Sequence, residues 1–484
     1  MPLSRRLRPW AEQQPERPAL RLGTQSRSYA QLWNTIARRY AALLALPRRA
    51  RHHAPHQPLV ALCLGNHPLA PEWLALALAT PTTVALIDPA WPASLQAEMI
   101  EALVPDLVIH SENAGFGLDH AAIEPPPTQA DQPFFIGFTS GTTSRPKAFL
   151  RDRTSWSLSL EAGRSVFDLN TESNTLAPGP LVHGLTFYAL AETLHVGATF
   201  TGMTRFSAQT AFDLIATGIH RLVAVPTMLE ALLREALTRG QTLPLRQVTT
   251  AGAALSRQLL AQLPQAFPQA RITEYYGASE LGFVSLAHHN PSGEDKLSTE
   301  TRGVGRAFPG VAIEIRKGGK SLPPDAIGTV FVKSPHPITG YLTAEGKHAF
   351  QRAGEWASVG DLGALDVEGN LTLAGRADGM VITGGYNVYP EEIAAKLAEA
   401  PGLTGTLVLA QPDAYLGERL VAVVSCAGDP PDLAAFCASR MARYKVPRAF
   451  YRVREWPLTS SGKIARATIA RWLEKGDHRL ELLT

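Results

Sequence analysis

The sequence has few cysteines and no long uninterrupted apolar run. The three cysteines, Cys63, Cys426 and Cys437, form no CxxC pair and lie near no histidine at metal-ligand spacing, which argues against a disulfide framework or a zinc site. The most apolar window, residues 73–87, contains Pro81 and three threonines and is shorter than the ~20 residues of a membrane-spanning helix. The N-terminal arginines are not followed by the apolar segment of a signal peptide. We expect a soluble cytoplasmic protein.

Charge of one sign is not in excess either. The chain has 46 basic and 43 acidic residues and a net charge of +3, which gives no argument for binding nucleic acid or an anionic membrane. Any anion must therefore be bound by a local arrangement of residues. A length of 484 residues predicts two or more domains, and 45% hydrophobic residues are typical of a globular protein.

The first part of the chain alternates helical and strand-like patterns, which predicts a layered α/β domain. We predict a helix at residues 29–46 and strands at 59–64 and 83–87. Residues 121–131 are rich in proline and polar side chains and predict a surface connector into a strand at 134–138.

The second part changes character twice. After mixed helix and strand over residues 175–271, many short β-like runs over 300–375 predict a separate β-rich lobe. Beyond residue 376 we predict helices at 390–399, 431–442 and 465–474 and strands at 405–410 and 420–425. The predicted fold is α/β: a large N-terminal domain (1–377) of layered α/β subdomains plus the β-rich lobe, and a small mobile α+β C-terminal domain (378–484).

Residues 138–147, with the sequence FTSGTTSRPK, directly follow the predicted strand at 134–138. A loop with several hydroxyls, a glycine and two cations can offer N–H groups, hydroxyl donors and positive charge to a polyphosphate. A polar surface turn is the competing interpretation, because the same residue types favour turns. The Walker pattern GxxxxGK[ST] is absent.

This segment resembles the phosphate-binding signature of the adenylate-forming superfamily, which comprises acyl- and aryl-CoA ligases, adenylation domains of nonribosomal peptide synthetases, and luciferases. Further segments match in the same order: GAAL at 252–255, YYGASE at 275–280, GDL at 360–362, GRAD at 375–378, TGGYNVYPEEI at 383–393 and PLTSSGKI at 457–464. The matches extend over most of the chain. The closest likeness is to a fatty acyl-CoA synthetase.

The resemblance implies ATP, Mg2+ and CoA, or the phosphopantetheine of a carrier protein, as cofactors. It implies catalytic roles for Lys463, Glu280 and His183 and magnesium binding by Glu280 and Thr139. The cofactor-binding residues that it implies are Thr139, Ser140, Gly141, Thr142, Thr143 and Lys147 for phosphate, Gly252, Ala253, Ala254, Tyr275, Tyr276, Gly277 and Ser279 around adenine, Asp361 and Arg376 for ribose, Asp378 at the domain hinge, and Gly384 and Gly385 for the pantetheine arm.

The chemistry explains why these residue types are needed. A carboxylate attacks the α-phosphorus of ATP without a general base, so catalysis consists of alignment and neutralisation of negative charge. A unit charge pair at about 4 Å and an effective dielectric near 20 is worth ~4 kcal/mol, or roughly a thousandfold in rate. Lys463 is expected to supply that cation. In the second step a thiol attacks the adenylate, and the resemblance implies that the C-terminal domain first swings about Asp378.

The acid is expected to bind near residues 180–187, which resemble the loop that gates the acyl pocket of CoA ligases. His183 in this loop is either a functional residue or a buried core histidine. Amino-acid-activating relatives carry an aspartate in this region, but no acidic residue lies between 174 and 188. A neutral acid is therefore favoured, and a fatty acid over an aryl acid.

Two alternatives to a CoA ligase remain open. A stand-alone adenylation enzyme would load a fatty, aryl or amino acid onto a carrier protein, and a non-catalytic nucleotide-binding regulator would use the same scaffold. The chain departs from the family pattern at Ser144, Arg145, Gly379 and Tyr386, none of which is a charged catalytic position. Neither the oligomeric state nor the chain length of the acid is predicted.

Overall fold

The computed structural model describes residues 4–51, 53–54, 56–139, 146–289, 303–338, 340–343, 346–348, 351–376, 379, 381–383, 386–413, 416–426, 428–460 and 462–483. Its α-helices are Ser4–Gln13, Tyr29–Leu44, Ala70–Ala79, Ala93–Leu103, Arg153–Val166, Gly184–His195, Ala208–Ala216, Pro226–Arg239, Arg257–Ala266, Pro390–Leu397, Leu433–Ala438 and Arg466–Lys475. Short 3-10 turns lie at Ser111–Asn113 and Arg443–Lys445. Among the described residues, no helix is long and apolar enough to cross a membrane.

An N-terminal sheet carries the predicted phosphate segment. Its strands, in spatial order, are Gly346–His348, Tyr341–Thr343, Lys147–Asp152, Pro133–Thr139, Thr83–Leu86, Leu59–Leu62 and Leu107–Ile109. The last four run parallel to one another and consist largely of buried apolar residues, as expected of a sheet covered on both faces. The predicted α/β layering is confirmed here, including the exposed connector before residue 133.

A larger central sheet follows. Its strands, in spatial order, are Arg306–Ala307, Gly282–His289, Arg271–Ala278, Gln247–Thr250, Arg221–Ala224, Thr175–Ala177, Phe200–Gly202, Pro18–Leu22 and Gln25–Ser28. The strands from Arg271–Ala278 to Pro18–Leu22 run parallel. In sheets of this kind, ligands bind beyond the carboxyl ends of the strands. At that edge of this sheet lie the segments that start at Val225, after Arg221–Ala224, and at Gly252, after Gln247–Thr250.

A buried ion pair ties this sheet to the helix Gly184–His195. Arg221 Nη2 donates to Glu192 Oε2 over 2.7 Å, and the two side chains are 1% and 3% exposed. Burial raises the pKa of Glu192, while Arg221 opposes that shift. Because neither charge has access to water, each depends on the other for compensation.

The predicted β-rich lobe is present but smaller than expected. Its sheet consists of Ala312–Lys317, Lys320–Ser321, Gly328–Lys333, Arg352–Ala353, Trp356–Ala357, Asp361–Leu365 and Leu371–Arg376. The strand Tyr341–Thr343 was predicted to belong to this lobe and instead joins the N-terminal sheet, where Tyr341 pairs with Phe149. Strand pairing over such a sequence distance cannot be read from a local pattern.

The C-terminal part has a sheet of its own. Its strands are Val381–Thr383, Tyr386–Val388, Leu403–Asp413, Gly417–Cys426, Ala449–Val453 and Leu480–Leu483. The helix predicted at 431–442 is shorter, at Leu433–Ala438, and begins after Asp432, whose side chain accepts the Ala435 N–H at 2.9 Å. The lobe sheet ends at Arg376 and this sheet begins at Val381; the predicted boundary at 377/378 falls between them.

Candidate active site

The two ends of the phosphate segment face each other across a strand pair. Thr139 and Lys147 are opposite partners in the antiparallel pairing of Pro133–Thr139 with Lys147–Asp152. Both residues therefore lie at the mouth of the same hairpin, and Lys147 is exposed. The other predicted phosphate ligands, Ser140, Gly141, Thr142 and Thr143, lie outside the described residues.

The predicted ribose residues also come together. Asp361 and Arg376 are cross-strand partners, and the Tyr276 hydroxyl donates to Asp361 Oδ2. The side chain of Tyr275 lies on the opposite face of the sheet from that of Tyr276, because successive side chains on a strand point to opposite faces. Its ring lies 4.6 Å from that of Phe283 in the core, and burial raises its pKa. Of the two tyrosines, Tyr276 is therefore the one beside Asp361. The predicted Asp378, Gly384 and Gly385 lie outside the described residues.

The predicted adenine turn lies against the C-terminal lysine. Gly252 has a φ of +89°, a conformation that favours glycine, and a methyl group on it would lie 3.2 Å from Lys463 Cε. Ala253 and Ala254 are exposed, and the Leu255 N–H donates to Glu274 Oε1 at 2.8 Å, which fixes the end of the turn. Hence Lys463, on the C-terminal loop, reaches the carboxyl end of the central sheet.

Another close approach shapes the segment at 275–280. A methyl group on Gly277 would lie 2.5 Å from the carbonyl oxygen of Gly282, so glycine is required where the strand register shifts. Ser279 is exposed, and its carbonyl accepts a hydrogen bond from Arg151 Nη2 at 2.5 Å. The segment is thus bent and anchored immediately before Glu280.

Glu280 is a buried carboxylate, 8% exposed, whose Oε1 accepts the Tyr341 hydroxyl at 2.7 Å. A hard carboxylate oxygen suits Mg2+. In the part of the chain that the structure describes, no group of three or more His, Cys, Asp or Glu residues could hold a metal. The buried carboxylate of Glu280 fits an ion that is held by one carboxylate and by substrate phosphates, which is the usual protein environment of Mg2+.

The loop that carries Lys463 is closed on itself and bonded to the N-terminal domain. The Thr459 N–H donates to the Lys463 carbonyl at 2.7 Å, and Thr227 Oγ1 donates to the Gly462 carbonyl at 2.8 Å. Gly462 has a φ of +79°, and a methyl group on it would lie 3.1 Å from Val225 Cγ2. The loop thus packs against the segment that follows the strand Arg221–Ala224.

A second contact joins the two domains through Ser460. Its Oγ donates to Asp88 Oδ2 at 3.0 Å and lies 3.3 Å from His183 Nε2. Since the single hydroxyl proton points to Asp88, the histidine is the donor in the other contact and carries its proton on Nε2. Burial lowers the pKa of His183; Asp88 opposes that shift and Lys463 reinforces it.

Sequence reasoning missed four residues of this site: Asp88, Arg151, Tyr341 and Ser460. Asp88 follows the apolar strand Thr83–Leu86, and an acidic residue directly after a buried strand is a usable signal. It is an acidic group near His183 that lies outside residues 174–188. Ser460 lies in the motif at 457–464, but its contact with Asp88 has no local signal, and neither have Arg151 and Tyr341, because their partners are distant in sequence.

Comparisons with known proteins identify the family of the chain. Residues 7–342 match the sequence model described as AMP-binding enzyme, and residues 392–463 match the AMP-binding enzyme C-terminal domain. The fold is that of the adenylate-forming enzymes. The chain belongs to the family of AMP-binding enzymes.

Relatives match over much of the chain. The uncharacterized acyl–CoA ligase YhfT of Bacillus subtilis is 32% identical over 485 residues, which cover 96% of this chain and 97% of the relative. VraA of Staphylococcus epidermidis, whose name proposes a long chain fatty acid–CoA ligase, is 31% identical over 68% of this chain and 69% of its own. The 2-succinylbenzoate–CoA ligase of Arabidopsis thaliana is 30% identical, and the match covers 71% of this chain and 67% of the relative.

Solved structures share the fold. O-succinylbenzoate CoA synthetase (MenE) of Bacillus subtilis, in complex with AMP, has a TM-score of 0.79 at 23% identity and covers 97% of this chain and 98% of its own. The amide bond synthetase McbA of Marinactinospora thermotolerans has a TM-score of 0.81 at 25% identity, and the match covers 98% of this chain and 100% of McbA.

Proposed function

We propose that this chain is an AMP-forming carboxylic acid:CoA ligase. A carboxylate oxygen bonds to the α-phosphorus of ATP and pyrophosphate leaves; the CoA sulfur then bonds to the acyl carbon and AMP leaves. The observation that carries the proposal is the position of Lys463, whose Cε lies 3.2 Å from a methyl group built on Gly252. That position supports a lysine that neutralises the reacting carboxylate and phosphate.

For the nucleotide, we propose that Asp361, Arg376 and Tyr276 bind the ribose side. Asp361 is already oriented by the Tyr276 hydroxyl, which keeps its carboxylate in place before the nucleotide arrives. Thr139 and Lys147, at the mouth of the hairpin, are assigned to the phosphates together with residues 140–143. Ala253 and Ala254 form the exposed edge of the turn that we assign to adenine.

Glu280 would hold Mg2+, with the Thr139 hydroxyl as a second candidate ligand. The ion would supply positive charge to the pyrophosphate oxygens. The protein's own contribution is a buried carboxylate whose direction is fixed before ATP binds.

The second step requires Lys463 to move away. We propose that the domains divide at 377/378, that Asp378 is the hinge, and that Gly384 and Gly385 then allow close approach of the pantetheine arm. Ser460 bonds to Asp88 and to His183, and the Gly462 carbonyl bonds to Thr227; so small a number of hydrogen bonds suits a reversible docking.

The acid is proposed to be neutral and aliphatic. Apolar groups of Val225 and Met228 lie within 3.1 and 3.6 Å of a methyl group built on Gly462, next to Lys463. Asp88, the acidic group that the structure brings to His183, already accepts hydrogen bonds from Ser460 and from the Ala90 N–H, which weakens it as an ammonium ligand. The names of the relatives divide between a long chain fatty acid and succinylbenzoate.

The test is acid-dependent pyrophosphate release across fatty, aryl and amino acids. Lys463→Ala should lower the rate on the best acid roughly a thousandfold. Lys475→Ala, an exposed lysine at the end of Arg466–Lys475, is the matched control and should leave the rate unchanged. Equal rates for Lys463→Ala and the parent protein would refute the assigned role.

The acceptor is tested separately. CoA and a holo-carrier protein are offered to the enzyme with ATP and its best acid, and the thioester is measured. CoA thioester alone supports the ligase. Transfer to the carrier protein alone supports a stand-alone adenylation enzyme, and transfer to neither, with pyrophosphate still released, points to another acceptor such as an amine.

A further inference from the structure

Tyr341 connects two parts of the active site that are distant in sequence. The strand Tyr341–Thr343 extends the N-terminal sheet by pairing with Lys147–Asp152, with Tyr341 opposite Phe149 and Leu342 opposite Ala148. The neighbouring strand of that sheet ends at Thr139, the partner of Lys147. The backbone pairing therefore places Tyr341 beside the hairpin assigned to the phosphates.

The Tyr341 side chain contacts both signs of charge. Its hydroxyl donates to Glu280 Oε1 at 2.7 Å, and Lys147 Nζ lies 5.4 Å from the centre of its ring. The first contact is a hydrogen bond to a buried carboxylate, which is stronger than one between neutral groups. The second is within the range of a cation–π interaction. The side chain of Tyr341 thus contacts both the carboxylate of Glu280 and the ammonium group of Lys147.

The backbone around Glu280 is anchored independently. Arg151 is buried, and it donates to the carbonyls of Ser279 and His336. The Ile338 N–H donates to the Glu280 carbonyl at 2.8 Å. These bonds fix the main chain, but they leave the rotation of the carboxylate about its side-chain bonds to be set by a side-chain contact.

We propose that Tyr341 is a positioning residue that aims Glu280 at the magnesium ion of Mg·ATP and supports Lys147 on the phosphate side. Because the phenol engages Oε1, Oε2 is the oxygen that would hold the ion. Mg2+ tolerates little departure from octahedral geometry, and residues that orient a metal ligand commonly change metal affinity 10- to 100-fold when mutated. The inference rests on the proposed role of Glu280 in the proposed function.

Two substitutions separate the two contacts. Tyr341→Phe removes the hydroxyl and keeps the ring under Lys147, whereas Tyr341→Leu removes both. The first readout is equilibrium binding of ATP, without acid, at a series of Mg2+ concentrations and with EDTA. The second is the Mg2+ concentration that gives half-maximal pyrophosphate release. Tyr451→Phe, in the C-terminal sheet, is the control.

Tyr341→Phe should require about 10- to 100-fold more Mg2+ in both assays and should bind ATP normally in EDTA. Tyr341→Leu should in addition weaken ATP binding in EDTA by roughly two- to fivefold, because Lys147 loses the ring. Unfolding midpoints are measured for every variant, and Tyr341→Phe serves as the decisive one because it preserves the packing.

An unchanged Mg2+ requirement in Tyr341→Phe overturns the inference. So does a loss of activity that saturating Mg2+ does not restore, which would indicate a structural role. The binding assay needs no acid substrate. If the parent protein released no pyrophosphate, the proposed function would fail while the positioning role of Tyr341 would still be decided.

Discussion

Removing the Ser460 hydroxyl should weaken the docking of the lysine loop without touching either substrate. Ser460 Oγ is 3.0 Å from Asp88 Oδ2, and Asp88 is 6% exposed, so the bond is to a buried charged group. Such bonds contribute about 1.5–3 kcal/mol. At about 1.36 kcal/mol for each factor of ten, Ser460→Ala should shift the equilibrium away from the docked arrangement by roughly 10- to 150-fold.

The assay follows each half-reaction alone. Pyrophosphate release in a single turnover should slow, by as much as roughly 10- to 150-fold where the docked arrangement becomes the minor one, whereas thioester formation from a chemically prepared acyl-adenylate should keep its rate, because that step needs Lys463 displaced. Ser439→Ala is the control, since the Ser439 hydroxyl bonds within its own helix region: it donates to the Phe436 carbonyl at 2.9 Å and accepts from Arg440 Nη1 at 3.0 Å. An equal slowing of both half-reactions, or of neither, would refute the docking role.

Three further predictions concern stability and geometry. Arg221→Met should lower the free energy of unfolding by about 3–5 kcal/mol in chemical denaturation, because Glu192 is left buried without its partner. Burial lowers the pKa of His195 to about 4, against an ordinary value of 6.5. Between these two pH values the unfolded chain therefore binds more protons than the folded one. The thermal unfolding midpoint should accordingly fall as the pH drops from about 6.5 to about 4. Gly252→Ala should slow pyrophosphate release, because the new methyl group would lie 3.2 Å from Lys463 Cε in a strained backbone conformation.

Each of these has a matched control on the same chain. Arg234→Met removes an exposed arginine and should cost less than about 1 kcal/mol. His478→Gln, at an exposed position, should keep the pH dependence of the parent protein, whereas His195→Gln should reduce it. Gly310→Ala imposes similar backbone strain, at a φ of +80°, with no neighbouring atom within 4 Å, and should leave pyrophosphate release unchanged. A reversed order in any pair would contradict the argument for that pair.

Much of the local structure could be predicted because its causes are local. The helix predicted at 29–46 is Tyr29–Leu44, and it begins where Ser28 and Gln31 form a reciprocal capping box. The strands predicted at 59–64 and 83–87 are Leu59–Leu62 and Thr83–Leu86, since a short apolar run between turn residues defines a buried strand. Errors arose where pairing is non-local, as for the strand at Tyr341.

The candidate site divides in the same way. Residues in contiguous motifs, such as Tyr276, could be predicted because the segment 275–280 resembles a motif of the adenylate-forming superfamily. Ser460 and Asp88 are 372 positions apart, and Tyr341 and Glu280 are 61 apart. Their contacts arise from the relative placement of whole sheets and domains, so no periodicity or composition indicates them.

The two charged groups that the proposed reaction needs are held in different ways. Glu280 is buried, its main chain is anchored and its carboxylate is bonded to Tyr341. Lys463 instead lies on a loop that meets the other domain through a few hydrogen bonds, those of Ser460 with Asp88 and His183 and that of the Gly462 carbonyl with Thr227. Electrostatic stabilisation of a phosphoryl-transfer step requires groups that are already oriented, which the first arrangement provides. A second step that needs the lysine displaced requires a contact worth only a few kcal/mol, which the second arrangement provides.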